Sequence, residues 1–210
     1  MNKVRFGIIG CGVIAPNHAK SLLEIPETEL VAVCDIIEEK AADFAQKFGV
    51  KDYYTDYNDL LKRDDIDAVC VCVPSGLHGE IVAASAQACK HVLCEKPLEV
   101  KKDKMTQMIK ACREHGVKLG GVFQRRTMKS AIAAKKAVQQ GDLGKIVLGD
   151  AYLKYYRSQD YYNSAGWRGT WELDGGGALM NQGVHGIDLI QWMVGDVDSI
   201  YARADHLVRN

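Results

Sequence analysis

The sequence predicts an α/β fold in which a doubly wound parallel sheet is followed by a truncated α+β domain with a mixed or antiparallel sheet. An apolar run breaks into a glycine turn near the start, and strand-like and helix-like segments then alternate. Residues 146–156 instead alternate apolar and polar positions. Alternating strands and helices form parallel sheets, whereas one-sided alternation is typical of strands with one covered face. We therefore predict two domains, residues 1–124 and 125–210.

The charge balance favours a small-molecule partner. The 210 residues contain 27 Lys and Arg against 27 Asp and Glu, a formal net charge of +0. This balance argues against a generic binder of nucleic acid or of anionic membranes. The first residues run straight into an apolar strand, without the apolar segment of a signal peptide or of a membrane span. We expect a cytoplasmic protein.

The chain contains seven cysteines, an odd number. Most of them lie in apolar, strand-like runs, and no pair has the Cys-x-x-Cys spacing of many zinc sites. We interpret them as reduced core residues and predict no metal site.

The glycine turn predicts a dinucleotide site. The run Val4–Ile9 leads into Gly10-x-Gly12-x-x-Ala15, which we interpret as a buried strand, a turn and the first turn of a helix over about residues 14–23. This arrangement presents backbone N–H groups and a helix dipole to a pyrophosphate, as in Rossmann folds. Pro16 is tolerated because it lies in the first helical turn.

The second predicted strand, residues 30–35, ends in the carboxylate of Asp35. An acid roughly twenty residues past the glycines is expected to bind the adenosine ribose. Alternatively, Asp35 caps the following helix, residues 38–48. A carboxylate here would repel a 2′-phosphate, so the sequence favours NAD over NADP.

The alternation continues with helices at 57–62, 79–88 and 101–114 and strands at 66–73, 91–94 and 118–123. Ligands of such sheets bind at the carboxyl ends of the strands. The polar segments to consider are therefore residues 74–78, 95–97 and 124–126.

Lys96 follows a predicted buried strand and precedes Pro97, which places it at the crevice on a stiffened backbone. There its ammonium could orient a substrate hydroxyl. The alternative is a surface lysine paired with Glu95. His78, in the preceding loop, is expected to pack or hydrogen-bond near the cofactor rather than to act as a base.

The second domain begins with a predicted helix at 128–140, then the strand at 146–156. If residues 177–194 are helical, Asn181, His185 and Asp188 form one polar stripe next to an apolar arc. The glycine triplet at 175–177 permits close approach of the helix start. His185 then suits removal of a hydroxyl proton, or is a core histidine bonded to Asp188.

Trp167 and Arg168 have two open interpretations. They are a loop anchor and a surface cation, or Arg168 contacts a phosphate or a substrate carboxylate through its planar fork.

Together these motifs resemble the glucose–fructose oxidoreductase, inositol dehydrogenase and rhizopine catabolism (Gfo/Idh/MocA) family of NAD(P)-dependent sugar oxidoreductases. The resemblance rests on the glycine turn, Glu95-Lys96-Pro97, and the glycine triplet followed by His185. The string Trp-Arg-Gly-Thr-Trp before Asn-Gln-Gly-Val-His is similar to the branch with UDP-N-acetylglucosamine-derived uronate 3-dehydrogenases.

The resemblance implies an NAD-dependent oxidoreductase that transfers hydride from a secondary hydroxyl of a sugar or nucleotide sugar, and a homo-oligomer. Lys96 and His185 would be the catalytic pair. Substrate contacts would come from Lys96, Arg157, Asn181 and His185. The residues expected to contact the cofactor are Gly10, Gly12, Val13, Ile14, Asp35, Pro74, Ser75, His78, Glu95, Lys96, Gln124, Trp167 and Arg168.

Two departures from the family pattern leave an alternative open. Many relatives carry an aspartate at the position of Asn181, so proton handling would shift toward His185 and Lys96. Family members also continue past residue 210, whereas this sequence ends in an apparent strand from Ile200 onward. The alternative is a dinucleotide-binding sensor or structural protein, or an inactive fragment of the enzyme.

Overall fold

The computed structural model describes residues 3–205, whose centre is a six-stranded parallel sheet. The strands are β1 (Val4–Ile9), β2 (Thr28–Cys34), β3 (Asp52–Tyr54), β4 (Ala68–Val71), β5 (His91–Cys94) and β6 (Leu119–Gly121). The helices are α1 (Ala15–Glu24), α2 (Glu38–Phe48), α3 (Tyr57–Leu61), α4 (His78–Gln87), α5 (Lys102–Glu114), α6 (Lys129–Gln140), α7 (Gln159–Asn163) and α8 (Val184–Val194).

The strand order is β3-β2-β1-β4-β5-β6, and every neighbouring pair is parallel. The order reverses between β1 and β4, which is where doubly wound sheets bind their ligands. Apolar clusters lie on both faces of the sheet, one around Ile8 and Val33 and the other around Val69 and Val71. This confirms the predicted α/β class with a Rossmann-like sheet.

The predicted strands differ from the structure at three places. Strand β3 was not predicted, because its three residues are too short to show a period. The strand predicted at residues 146–156 is wrong, since this segment has no strand pairing. Nor does a strand occur over residues 200–205, and residues 206–210 of the predicted final strand lie outside the described residues. Apolar alternation predicts a side-chain pattern, but a strand also needs a partner for its backbone hydrogen bonds.

The described chain separates into two compact units. The first comprises the residues up to Phe123 together with Tyr155–Val184, and the second comprises Gln124–Lys154 and the residues from His185 onward. In the described part of the second unit, the regular elements are α6, α8 and a 3₁₀ turn, without a strand. None of the helices within residues 3–205 has the length and apolar character needed to cross a membrane.

The seven cysteines are free thiols in the described structure. Cys34, Cys70, Cys72, Cys94 and Cys112 are buried. Burial raises the pKa of the Cys70 thiol to about 12, so this side chain stays protonated and packs as a small apolar residue.

Candidate active site

The glycine turn lies at the switch point and leaves room for a ligand in front of α1. Gly10 has a φ of +94°, and a Cβ there would lie 2.7 Å from the Cys72 carbonyl oxygen. A Cβ at Gly12 would meet no atom within 4 Å. No side chain caps the first turn of α1, and the neighbouring Val13 is exposed while Ile14 is half-buried. Open space before a helix N-terminus fits a dinucleotide pyrophosphate.

Asp35 follows β2 and connects the glycine turn to the entry of α2. One carboxylate oxygen accepts from the N–H of Cys11 at 2.9 Å, and the other accepts from the N–H of Ile37 at 3.0 Å. Asp35 therefore supports the backbone just before α2, but it is not the cap residue that the alternative interpretation predicted, because the N-cap position is Ile37 and no side chain caps the helix. The same half-buried charge lies beside the glycine turn, where it suits a ribose diol and opposes a 2′-phosphate.

The loop after β4 holds Pro74, Ser75 and His78. Ser75 is buried in a 3₁₀ turn, and His78 begins α4 with only 1% of its surface exposed. The ring nitrogens of His78 lie 2.8 Å from the Pro97 carbonyl and 2.9 Å from the Val73 carbonyl. Burial lowers the pKa of His78, although both carbonyls oppose the shift. His78 is thus buried between the carbonyls of two crevice loops, and it is not exposed as a base would be. A neutral ring donates to only one of these carbonyls.

Glu95 directly follows β5 and is held by a residue that the sequence analysis did not identify. His18 of α1 places Nε2 at 2.8 Å from Glu95 Oε1, and both side chains are almost fully buried. The other oxygen of Glu95 accepts from the backbone N–H of Lys96 at 3.2 Å. The carboxylate is therefore bonded on both sides, and it supports the backbone at Lys96.

The half-buried Lys96 points toward the segment Tyr155–Val184, and its Nζ donates to the backbone carbonyl of Asn181 at 3.1 Å. Asn181 is itself bonded through Nδ2 to Asp174 at 2.7 Å. Two residues of the predicted substrate set, Lys96 and Asn181, are thus in direct contact.

The polar stripe was conditional on a helix over residues 177–194, and only the part from Val184 onward is a regular α-helix. Residues Ala178–Gly183 form a π-helical turn, and α8 starts only at Val184. The turn begins after three consecutive glycines with positive φ, from +61° to +90°. Asn181 thus lies in the π-turn and His185 in the α-helix, so no single 3.6-residue period covers both, and their common polar stripe stays a prediction.

An aromatic and arginine cluster lies elsewhere in the first unit. The Arg168 guanidinium is 4.4 Å from the ring centre of Tyr161 and 4.7 Å from that of Trp167, and it donates to the Tyr161 hydroxyl at 2.7 Å. The guanidinium of Arg157 is 5.3 Å from the same Tyr161 ring. Two cations on one ring provide flat donors suited to carboxylates or phosphates.

The remaining predicted residues lie in the second unit. Gln124 starts a 3₁₀ turn, and the half-buried His185 is the second residue of α8. Asp188 is buried and receives the Arg126 guanidinium, with Nε 2.9 Å from Oδ2. The two interpretations of His185, as a base or as a core histidine bonded to Asp188, both stay predictions. The proposed pair Lys96 and His185 falls in different units and stays a prediction.

The chain matches sequence models of one family over nearly its whole length. Residues 4–123 match the oxidoreductase family with an NAD-binding Rossmann fold, and residues 131–210 match the GFO/IDH/MocA C-terminal domain. The chain belongs to the GFO/IDH/MocA family. The family resemblance predicted from the sequence is confirmed.

Individual relatives include sugar and nucleotide-sugar dehydrogenases. The chain is 31% identical to a myo-inositol 2-dehydrogenase of Thermotoga maritima, covering 98% of this chain and 59% of that protein. It is 28% identical to a levoglucosan dehydrogenase of Pseudarthrobacter phenanthrenivorans, covering 96% and 54%. The crystal structure of the WlbA dehydrogenase from Bordetella pertussis with NADH and UDP-GlcNAcA is similar over 100% of this chain and 62% of that chain, with 38% identity and a TM-score of 0.95.

The chain thus spans between 54% and 62% of the length of these relatives.

Sequence reasoning missed His18 and Asp174, the two residues that hold Glu95 and Asn181. Asp174 directly precedes the glycine triplet, and His18 lies one helical turn past Ala15, so their positions beside motifs were the available signal.

Proposed function

We propose that this chain carries the NAD site and part of the catalytic site of an oxidoreductase that removes hydride from a secondary hydroxyl of a sugar or nucleotide sugar. The observation that carries the proposal is the contact of Lys96 with Asn181 directly after β5, on a sheet whose switch point has an open glycine turn. The family assignment supports the same reaction class.

The cofactor would bind in front of α1. Backbone N–H groups after Gly12 would hold the pyrophosphate, and Asp35 would bind the adenosine ribose and disfavour NADP. The loops at Pro74, Ser75 and Glu95 follow neighbouring strands and would border the nicotinamide. Gln124 and Trp167 are also proposed to contact the cofactor. Bound NAD would supply the hydride acceptor.

The protein would handle the proton and the orientation of the hydroxyl. Lys96, held by its neighbours, would donate a hydrogen bond to the substrate oxygen and stabilise negative charge on it. His185 would take the hydroxyl proton, since an imidazole nitrogen can accept and release a proton in general acid–base chemistry. A fixed ammonium restricts the geometries that the reacting carbon can adopt.

The substrate is proposed to be an acidic nucleotide sugar. Arg157 and Arg168 lie against Tyr161 and could bind a uronate carboxylate or a diphosphate. This class agrees with the UDP-GlcNAcA in the WlbA complex. We further propose that residues 1–124 and 125–210 are the two domains, and that the whole protein is a homo-oligomer.

The test uses the complete protein that contains this chain, with NADH binding followed by fluorescence and NAD reduction followed by absorbance. The panel would contain UDP-GlcNAcA, UDP-GlcNAc, myo-inositol and levoglucosan. We expect reduction of NAD with UDP-GlcNAcA, and a loss on the order of 100-fold or more in kcat for Lys96→Ala and for His185→Ala. UDP-GlcNAc, which carries the diphosphate but lacks the uronate carboxylate, is the control for the carboxylate.

Binding of NADH without turnover of any panel member would favour the alternative, a dinucleotide-binding sensor. Turnover that survives both substitutions unchanged would contradict the assignment of Lys96 and His185. Turnover of inositol but not of the nucleotide sugar would contradict only the substrate class.

A further inference from the structure

The Lys96 ammonium is bonded to a backbone oxygen, and the position of that oxygen depends on a buried acid. Asp174 is only 1% exposed. We propose that Asp174 is a positioning residue for Lys96 and acts through Asn181, an inference that rests on the proposed function of Lys96. Asp174 itself need not touch substrate or cofactor.

Both carboxylate oxygens of Asp174 are used within the segment Tyr155–Val184. Oδ1 accepts from Asn181 Nδ2 at 2.7 Å, and Oδ2 accepts from the backbone N–H of Gly169 at 2.8 Å. A buried carboxylate is costly unless hydrogen bonds compensate it, and such charge-assisted bonds are stronger than neutral ones. Asp174 therefore fixes the Asn181 side chain firmly in one direction.

The backbone of Asn181 is fixed from the same point. The N–H of Gly177 donates to the Asp174 carbonyl at 3.2 Å, and the N–H of Asn181 donates to the Gly177 carbonyl at 2.7 Å. Gly177 has a φ of +90°, and a Cβ there would lie 3.2 Å from the Gly169 Cα. The glycines thus let the chain fold around the carboxylate before the π-turn begins.

This double attachment explains how an irregular turn can hold a lysine. π-turns are rare, and they are frequent at functional sites. With its side chain bonded to Asp174 and its N–H bonded to Gly177, Asn181 presents its carbonyl oxygen to Lys96 Nζ. One of the three ammonium donors is thereby used to hold the flexible side chain in place.

The other end of Lys96 is held independently, since Glu95 accepts from its backbone N–H and is bonded to His18. Loss of Asp174 should therefore release the ammonium while the loop after β5 and the cofactor crevice stay in place. The expected signature is a lower kcat with unchanged binding of NADH.

The first experiment measures kcat, KM and NADH affinity in the complete protein for Asp174→Asn. The amide offers one acceptor oxygen where the carboxylate uses two, so Asn181 Nδ2 and Gly169 N–H cannot both keep their present acceptors. We expect kcat to fall on the order of 10- to 100-fold at unchanged NADH affinity. The double variant Asp174→Asn, Asn181→Asp exchanges the two side chains. The amide oxygen at position 174 can still accept from the Gly169 N–H, and its NH₂ group can donate to the carboxylate at position 181. We expect this double variant to restore most of the lost kcat. Glu172→Gln, the same charge change on the exposed residue two positions earlier, is the matched control and should be neutral.

A second measurement does not need turnover. Reductive methylation with ¹³C labels the lysine ammonium groups, and Lys96→Arg identifies the resonance of Lys96. We expect a separate Lys96 resonance in the wild type, its merger with the exposed lysines in Asp174→Asn, and its return in the exchanged pair.

The two measurements separate the possible failures. If no substrate is turned over but the Lys96 resonance moves as expected, the positioning role holds and the proposed function fails. If kcat and the Lys96 resonance are both unchanged in Asp174→Asn, the inference is overturned whatever the activity. A fall in unfolding midpoint with an unmoved Lys96 resonance also overturns it, because it assigns Asp174 a purely structural role.

Discussion

The first compact unit holds its site residues in two different ways. The strands carry fully buried apolar residues such as Ile8, Val33 and Val69, and the crevice loops follow the ends of those strands. In the fully described segment Tyr155–Val184, the buried side chains are instead Asp174 and Gln182. One region is held by apolar packing, and the other is held by hydrogen bonds and glycine conformations.

This difference predicts different sensitivities. Apolar stabilisation is non-directional and grows with buried area, so changes in the sheet should reduce global stability. A polar network depends on direction and on every partner, so small changes in Tyr155–Val184 should reduce activity more than stability. The following predictions test this contrast in order of decreasing effect.

The largest effect is expected for Ile8→Ala in β1. Ile8 is 0% exposed, so the change leaves a cavity in the sheet core. We expect a loss of about 2–5 kcal/mol in the free energy of unfolding. Urea unfolding followed by circular dichroism measures it. The exposed Ile36→Ala is the matched control and should change stability little. If both variants unfold at the same urea concentration as wild type, apolar packing does not dominate this region.

The same contrast explains which features the sequence could predict. The glycine turn and the Glu95-Lys96 loop follow from strand ends in a parallel sheet, so local patterns were sufficient. The π-turn before His185 was not predictable from periodicity, because it follows three glycines with positive φ and includes the polar contact of Asn181 with Asp174, and neither feature is an apolar pattern. The strand expected at residues 146–156 failed for a similar reason, since pairing requires a partner that the pattern does not specify.

Gly177→Ala tests the polar region with a single methyl group. At a φ of +90° the alanine is strained, and its Cβ would approach the Gly169 Cα at 3.2 Å. We expect a cost of about 1–3 kcal/mol in stability and a fall in kcat on the order of 100-fold, larger than strain alone would cause. Gly166→Ala is the control, since a Cβ there meets no atom within 4 Å.

For Gly177→Ala and for Gly166→Ala, the change in kcat is compared with the change in the midpoint of urea unfolding. A Gly177→Ala variant with a lower urea midpoint and an unchanged kcat would contradict the view that this segment mainly positions the site. Activity loss in the Gly166→Ala control would indicate that any glycine replacement in the segment is damaging.

Asp35→Asn is expected to have a smaller effect, confined to cofactor choice. The amide can keep only part of the two backbone contacts to Cys11 and Ile37, and it removes the charge that opposes a 2′-phosphate. We expect NAD affinity to fall about tenfold and NADP affinity to rise relative to it. Fluorescence titration with NADH and NADPH measures both, with the exposed Asp43→Asn as the charge-matched control. Preferential NADPH binding by the wild type would contradict the role of Asp35.

The smallest effect is expected for an ion pair at the amino ends of the strands. Asp67 accepts one hydrogen bond from the backbone N–H of Arg5 at 2.8 Å and another from Arg5 Nε at 3.0 Å. Hydrogen bonds from the Arg5 side chain and backbone lower the pKa of Asp67 to about 2. Because the pKa is lower in the folded state, the pair stabilises the protein above the unfolded pKa of about 4 and this contribution declines as the pH falls toward the folded value.

Both side chains of this pair are 37% exposed, so solvent screens much of the interaction. We expect Asp67→Asn to lower the urea midpoint slightly at neutral pH, and less at high salt. The difference from wild type should shrink below about pH 4, since the wild-type carboxylate then begins to lose its advantage. A difference that grows on acidification would contradict this sign. A cost at Asp67 as large as that of Ile8→Ala would show that charge at the strand ends, and not apolar packing alone, maintains the sheet that carries the site.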